Sequence, residues 1–125
     1  MKHEPISRLM QPHTRTLAAD DSITAVEAFL LQHGLSWAPV LGDDDELLGV
    51  VSSSDLVRFR RSALDPDTTA AWQLCTYRPI SVGPETTVGE VARLMVERHI
   101  HHVVVIEQGR IRGCVSALDF VKTFV

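Results

Sequence analysis

The sequence predicts an α+β protein made of two homologous halves, packed sheet to sheet about a pseudo-two-fold axis. An internal duplication supports this class: residues 23–30 match residues 88–95 at an offset of 65, and residues 49–56 match residues 113–120 at an offset of 64. The offset changes within a polar, glycine-containing turn, where a duplicated chain can drift without disturbing a core. Neither half is large enough to bury both faces of a sheet alone, so the halves are expected to pack together.

Each half repeats the same order of elements. Ser22 precedes an apolar stripe with helical spacing, and Thr87 begins the capping-box pattern Thr-Val-Gly-Glu of a helix that extends to Arg98. Asp65 and Pro66 indicate a helix start in the connector between the halves. The predicted strands are 14–17, 37–41, 47–52, 80–82, 102–107 and 111–116, and the predicted closing helices are 54–61 and 117–124. We therefore divide the chain into a first repeat (9–61), a linker helix (62–73) and a second repeat (74–124).

Composition and charge exclude several classes of function. Hydrophobic residues make up 45% of the chain and charged residues 22%, and the net charge is −4 with a pI near 5.8. This balance is typical of a globular protein without a basic surface for nucleic acid. There is no signal-peptide pattern or membrane-length apolar run, so we expect a cytoplasmic protein that does not bind membranes. Cys75 and Cys114 lack metal-binding spacing and are expected to be reduced thiols.

Both halves carry the pattern G-x-x-S-x-x-D where the last strand meets the closing helix. The first copy contains Ser52 and Asp55, and the second contains Ser116 and Asp119. The start of a helix presents unpaired N–H groups that suit a phosphate, and a carboxylate one turn later can accept hydrogen bonds from two ribose hydroxyls. The alternative is that the serines are N-caps and the aspartates favour the helix dipole. The presence of the whole motif in register in both copies favours a ligand site.

The repeated order of helix, two strands and motif helix resembles the CBS domain, and two copies in tandem resemble a Bateman module. The resemblance covers residues 9–61 and 74–124. It implies two β-α-β-β-α repeats with two clefts that bind AMP, ADP, ATP, S-adenosylmethionine or a related ligand, with no required cofactor. It also implies a homodimer formed through the helices, and a separate effector protein as a possible partner.

The resemblance further implies that each motif aspartate faces the first strands of the other repeat. Site A would then contain Ser52, Ser54, Asp55, Thr76, Ile80, His101, His102 and Val103. Site B would contain Ser116, Asp119, Thr14, Thr16, Ser36, Trp37 and Ala38. In site B, Leu118 replaces the second hydroxyl of the motif. The Trp37 indole could either stack on a purine or fill the cleft.

Three further features bear on function. His99, His101 and His102 suggest metal binding, but adjacent strand residues point to opposite faces and no thiol or carboxylate completes a set, so we predict no metal site. Arg58 and Lys122 follow each aspartate by three residues, either on a solvated helix face or near a polyphosphate. No nucleophile with an oriented base and no glycine-rich phosphate loop is evident, so we predict no catalytic residues and no enzymatic activity.

Overall fold

The computed structural model describes residues 1–12 and 14–125. The chain forms two compact units. The central unit is the continuous segment Arg15–Pro79, and the terminal unit combines the segments Met1–Thr14 and Ile80–Val125. Each unit has its own sheet and its own apolar core. Within the described residues, no helix has the length and apolar character needed to span a bilayer.

The central unit is a four-stranded sheet with three helices. The sheet order is β1-β2-β3-β4, with β1 parallel to β2 and the other neighbours antiparallel. The elements are β1 (Leu17–Ala18), α1 (Ile23–His33), β2 (Trp37–Leu41), β3 (Leu47–Ser52), α2 (Ser53–Phe59), α3 (Ala71–Leu74) and β4 (Thr76–Tyr77).

The terminal unit repeats this plan with a three-stranded sheet of order β5-β6-β7, in which β5 is parallel to β6 and β6 is antiparallel to β7. A single 3-10 turn at Ile6–Arg8 precedes these elements in the chain. The elements are β5 (Ser81–Val82), α4 (Val88–Arg98), β6 (His102–Glu107), β7 (Arg110–Ser116) and α5 (Ala117–Lys122).

The predicted α+β class is confirmed, with two sheets and five α-helices in the part of the chain that the structure describes. The predicted bounds of β2, β3 and β6 match the structure, whereas α2 and α5 end about two residues early. The helix caps form as the sequence predicts. Ser22 Oγ accepts a hydrogen bond from the Ala25 backbone N–H over 3.1 Å, and Thr87 forms a reciprocal capping box with Glu90.

The connector departs from the prediction of a helix over 62–73, because only Ala71–Leu74 is helical there. Asp65 explains the difference. Its side chain accepts a hydrogen bond from the Asp67 backbone N–H over 2.9 Å, and its carbonyl oxygen accepts one from Thr69 Oγ1 over 2.7 Å. Such local bonds give the backbone an alternative to helix, so this aspartate organises a turn instead of starting a helix.

Each unit includes an arm in addition to its long helix, its strands and its motif helix. The N-terminal arm, residues 1–12, lies in the terminal unit, and the connecting arm, residues 66–77, lies in the central unit. The two arms make equivalent contacts 65 residues apart. Ile23 N–H donates to the Thr69 carbonyl over 2.9 Å, and Val88 N–H donates to the Glu4 carbonyl over 2.8 Å. The arms thus pair with N–H groups that α1 and α4 leave unsatisfied in their first turns.

The arms also complete the two cores. Ile6 of the N-terminal arm and Ala71 of the connecting arm are both fully buried, again 65 residues apart. The repeats of the sequence and the units of the structure therefore do not coincide, because residues 1–8 lie outside the predicted repeats yet form part of the terminal core. The remaining core of the terminal unit is mainly valine, namely Val88, Val91, Val103, Val105 and Val115, with Met95. The remaining core of the central unit is mixed and consists of Leu17, Ile23, Val26, Leu30, Ala38, Val40, Val51, Leu56, Phe59 and Cys75.

Candidate functional site

The glycine of each G-x-x-S-x-x-D motif lies where an arm passes beside the strand that leads into the motif helix, β3 in the central unit and β7 in the terminal unit. A Cβ atom on Gly49 would lie 2.5 Å from the carbonyl oxygen of Thr76, and one on Gly113 would lie 2.6 Å from the carbonyl oxygen of Gln11. These distances are too short for any side chain. The close approach of the arm backbone therefore requires glycine at both positions, independently of any ligand.

The serine and aspartate of the first motif form a reciprocal cap on α2. Asp55 is 2% exposed, and its Oδ2 atom accepts hydrogen bonds from the Ser52 backbone N–H over 2.8 Å and from Ser52 Oγ over 3.1 Å. In return, the Asp55 N–H donates to Ser52 Oγ over 3.3 Å. The hydroxyl proton of Ser52 thus points to the carboxylate of its own cap. A ligand phosphate would have to compete for it.

The second motif forms the same cap on α5. Asp119 is 5% exposed, and its Oδ2 atom accepts from the Ser116 N–H over 2.8 Å, while the Asp119 N–H donates to Ser116 Oγ over 3.3 Å. The sequence left open whether these serines and aspartates act as helix caps. The structure shows that this capping role is present in both copies. It occupies only one oxygen of each carboxylate, which leaves the Oδ1 atoms for other partners.

The two Oδ1 atoms have different partners. In the central unit, the guanidinium of Arg58 forms an ion pair with Asp55 Oδ1 from the next turn of the same helix. In the terminal unit, Nε2 of Gln11, in the N-terminal arm, donates to Asp119 Oδ1 over 3.2 Å. Each carboxylate is therefore buried and hydrogen-bonded on both oxygens, as a buried charge requires. The partner is charged in one copy and neutral in the other.

Two titratable side chains lie near Asp119. Burial raises the pKa of the Cys114 thiol to about 11; the negative charge of Asp119 adds to this effect, and a hydrogen bond with Thr14 opposes it. Burial and the nearby charge of His101 lower the pKa of His102, while Asp119 opposes that shift. At neutral pH the thiol therefore keeps its proton and the His102 ring favours its neutral form.

Neither cysteine has the character of an activated nucleophile. Both are free thiols, and burial also raises the pKa of Cys75, which lies near the charge of Asp55. A thiol with a raised pKa is a poor nucleophile at neutral pH. Among residues 1–12 and 14–125, no three His, Cys, Asp or Glu side chains group together as a metal site would require. The absence of a metal site stays a prediction.

The residues predicted for the two sites are divided between the units. Of site A, the central unit holds Ser52, Ser54, Asp55 and Thr76, and the terminal unit holds Ile80, His101, His102 and Val103. Of site B, the terminal unit holds Ser116, Asp119 and Thr14, and the central unit holds Thr16, Ser36, Trp37 and Ala38. The grouping of these residues across the two units stays a prediction.

Within each unit, the first long strand lies directly beside the motif. Trp37 pairs with Ser52 in the sheet, and His102 pairs with Ser116. The start of each motif helix is fixed in the same way, since the Ser53 N–H donates to the carbonyl of Ser36 over 2.9 Å. Each motif therefore has close neighbours in its own unit that the predicted sites A and B assign to the other motif.

Sequence reasoning missed one residue that contacts a motif carboxylate. Gln11 was not predicted for either site, although Thr76 was named for site A and lies 65 residues after Gln11. The structure shows that the two positions are equivalent, since Thr76 pairs with Val50 on β3 and Gln11 bridges to Cys114 at the equivalent position of β7. Extending the offset of 65 to the arms was the signal that could have identified Gln11.

Known proteins with similar sequences and folds agree with this architecture. The family model of the CBS domain matches residues 6–62 and 70–125. Hypoxic response protein 1 of Mycobacterium tuberculosis (strain CDC 1551 / Oshkosh) is 26% identical over 115 residues, which is 91% of this chain and 80% of the relative.

Two solved structures with similar folds contain nucleotides. The crystal structure of CBSX2 in complex with AMP has a TM-score of 0.85 at 21% identity, over 97% of this chain and 96% of that chain. The CBS domain of the bacterial CNNM/CorC family Mg²⁺ transporter in complex with ATP has a TM-score of 0.84 at 18% identity, over 97% of this chain and 87% of that chain.

The two matched domains occupy nearly the whole chain, and the motif carboxylates belong to helix caps inside them. With both halves matched by the family model, this protein belongs to the CBS-domain family as a tandem pair.

Proposed function

We propose that this CBS pair is a sensor that binds an adenine nucleotide or a related adenosyl ligand through Asp55 and Asp119. The observation that carries the proposal is that each of these carboxylates is at least 95% buried, yet uses only its Oδ2 atom to cap its own helix. The Oδ1 atom can accept hydrogen bonds from ribose hydroxyls in exchange for its present partner. The AMP and ATP complexes of similarly folded proteins support an adenine nucleotide as the ligand.

The candidate ligands are AMP, ADP, ATP and S-adenosylmethionine. Titration calorimetry with each of them tests the proposal, and measurable binding of one ligand is expected. Asp55→Asn retains an oxygen that can cap α2 but removes the charge that strengthens hydrogen bonds to a diol. Since a hydrogen bond to a charged group contributes about 1.5–3 kcal/mol, we expect at least about a tenfold loss of affinity at that carboxylate. Asp20→Asn, at an exposed aspartate of the same unit, is the matched control.

The outcomes of this titration separate the two functions that the sequence left open. Wild-type affinity in Asp55→Asn and in the equivalent Asp119→Asn would show that neither carboxylate holds the ribose. If the wild-type protein bound none of the four ligands, the alternative would apply, namely a CBS scaffold that only dimerises or docks onto a partner. Melting temperatures of the variants distinguish a lost ligand contact from a lost helix cap.

We further propose that the protein forms a homodimer through its helices. The two repeats expose apolar side chains at equivalent positions: Leu31 on α1 is 83% exposed and Val96 on α4 is 74% exposed, while Val57 on α2 and Val121 on α5 are each 57% exposed. A duplicated exposed apolar surface of this kind suits a second copy of the same chain. A ligand would then act by favouring one dimer geometry, or one shape presented to an effector protein.

Light scattering after gel filtration tests the dimer. The double variant Leu31→Glu with Val96→Glu introduces like charges into the proposed interface. It should be monomeric at protein concentrations of about 1–100 micromolar, at which the wild-type protein should be dimeric. Leu64→Glu, at a 59% exposed position of the connector, is the control and should remain dimeric. A monomeric wild-type protein over this concentration range would exclude the homodimer.

A further inference from the structure

Arg58 forms an ion pair with the carboxylate proposed to hold ribose, whereas the partner of the other carboxylate oxygen, Ser52, is neutral. The side chain of Asp55 is 3% exposed and that of Arg58 is 67% exposed. The carboxylate is therefore fixed in the protein, with Oδ2 held by the cap of α2, while the guanidinium that pairs with Oδ1 reaches out to solvent. A ligand diol that binds Oδ1 has to displace this guanidinium or share the oxygen with it.

The consequence of that displacement depends on the charge of the ligand. An uncharged nucleoside replaces an ion pair with hydrogen bonds from neutral hydroxyls to the carboxylate, and it offers the released guanidinium nothing but water. A nucleotide offers phosphate oxygens, which a guanidinium binds in a bidentate manner. The ion pair therefore opposes the binding of a nucleoside more than that of a nucleotide.

The terminal unit lacks this arrangement. Lys122 is the equivalent of Arg58, but among the described residues it forms no ion pair with Asp119. The Oδ1 atom of Asp119 instead accepts from the neutral amide of Gln11. Displacement of an amide from Asp119 separates no ion pair, so this carboxylate should distinguish charged from uncharged ligands less strongly.

We propose that Arg58 is a specificity-determining residue, which holds Asp55 in the absence of ligand and transfers to the phosphate of a bound nucleotide. This inference rests on the proposed function, because it concerns the same carboxylate. It adds a preference for phosphorylated ligands over the corresponding nucleoside at Asp55, and it assigns that preference to one side chain. Arg58 thereby makes the two motifs of the chain unequal, although both retain glycine, serine and aspartate.

The test compares adenosine with AMP by titration calorimetry, in full-length protein carrying Asp119→Asn so that only Asp55 retains its charge. AMP should bind at least about tenfold more tightly than adenosine, the effect of roughly one charge-assisted hydrogen bond. In Arg58→Gln, adenosine should bind more tightly and AMP less tightly, so that the two affinities agree within about threefold, because the competing and the assisting charge are both removed. Arg58→Lys keeps the charge without the bidentate fork and should retain part of the preference.

Arg61→Gln is the matched control, since it removes one positive charge from an exposed position beyond the end of the same helix. It should keep the wild-type ratio of AMP to adenosine affinity. An unchanged ratio in Arg58→Gln, or an equal loss of preference in Arg61→Gln, would overturn the assignment. Binding of neither AMP nor adenosine would also overturn the assignment, and a wild-type protein that in addition bound none of ADP, ATP and S-adenosylmethionine would contradict the proposed function itself.

Discussion

The Nε2 atom of Gln11 donates a hydrogen bond to Oδ1 of Asp119 over 3.2 Å, across 108 positions of the chain. The same residue exchanges two backbone hydrogen bonds with Cys114, at 2.8 Å and 3.2 Å. The N-terminal arm is thus joined to the motif of the second repeat through both its backbone and its side chain. Any ligand that takes Oδ1 of Asp119 must act on this arm.

The contribution of that side chain can be measured with Gln11→Ala. We expect the free energy of unfolding to fall by about 1–3 kcal/mol, because Oδ1 of a buried carboxylate loses its hydrogen-bond partner while the backbone bonds remain. Urea denaturation gives the value. Gln32→Ala, at an exposed position of α1, should change the stability by less than about 0.5 kcal/mol. Equal effects of the two substitutions would mean that the Gln11 contact contributes nothing specific.

The motif glycines give a second prediction. Gly49→Ala and Gly113→Ala each place a methyl group against an arm carbonyl, 2.5 Å and 2.6 Å away, so the arm must move. We expect each substitution to destabilise the protein by about 1–3 kcal/mol, the usual cost of overpacking. Gly83→Ala is the control, since a Cβ at Gly83 meets no atom within 4 Å. Thermal unfolding followed by circular dichroism compares the three, and a tolerated Gly49→Ala would contradict the role of the arm.

The order of elements could be predicted from the sequence because both copies of the duplicated sequence show the same pattern. Ser22 and Thr87 mark the two helix starts, and the bounds of Trp37–Leu41 and His102–Glu107 follow from apolar runs between turn residues. Local patterns of this kind depend on spacing within a few residues, which a sequence displays directly. The capping boxes at the motifs are likewise local and could be considered beforehand.

The partners of the Oδ1 atoms could not be predicted in the same way. The bond between Gln11 and Asp119 spans nearly the whole chain, and it depends on which unit the N-terminal arm joins. The ion pair of Arg58 with Asp55 is local, but the equivalent Lys122 does not reproduce it, so spacing alone does not decide it. The turn at Asp65 likewise depended on competition between side-chain bonds and a helix start, which composition does not reveal.

A third prediction compares the C-terminal ends of α1 and α4. Gly34 and His99 both end their helices in the left-handed region, with φ of 62° and 55°. This conformation costs a residue with a side chain about 1–2 kcal/mol, whereas glycine adopts it freely. Gly34→Ala should therefore destabilise the protein by about 1 kcal/mol, since no atom lies within 4 Å of the added Cβ to complicate the result. His99→Gly should stabilise it by about 0.5 kcal/mol after the entropy of glycine is counted. Urea denaturation measures both, and a neutral Gly34→Ala would contradict the strain argument.

The last prediction concerns the pH dependence of stability. Burial, together with the charge of His101, lowers the pKa of His102 in the folded state, while the unfolded chain keeps the ordinary histidine pKa near 6.5. The unfolded state therefore takes up a proton more readily as the pH falls. The contribution of the neutral ring to the free energy of unfolding is fully present above about pH 6.5. It is lost progressively as the pH falls from there through the lowered pKa of the folded state.

Urea denaturation at pH 7.5 and pH 5.0 should show a smaller loss of stability for His102→Gln than for the wild-type protein. His3→Gln removes an exposed histidine from the same unit and controls for the change in histidine number. If His102→Gln lost as much stability on acidification as the wild type, His102 would not be the group responsible.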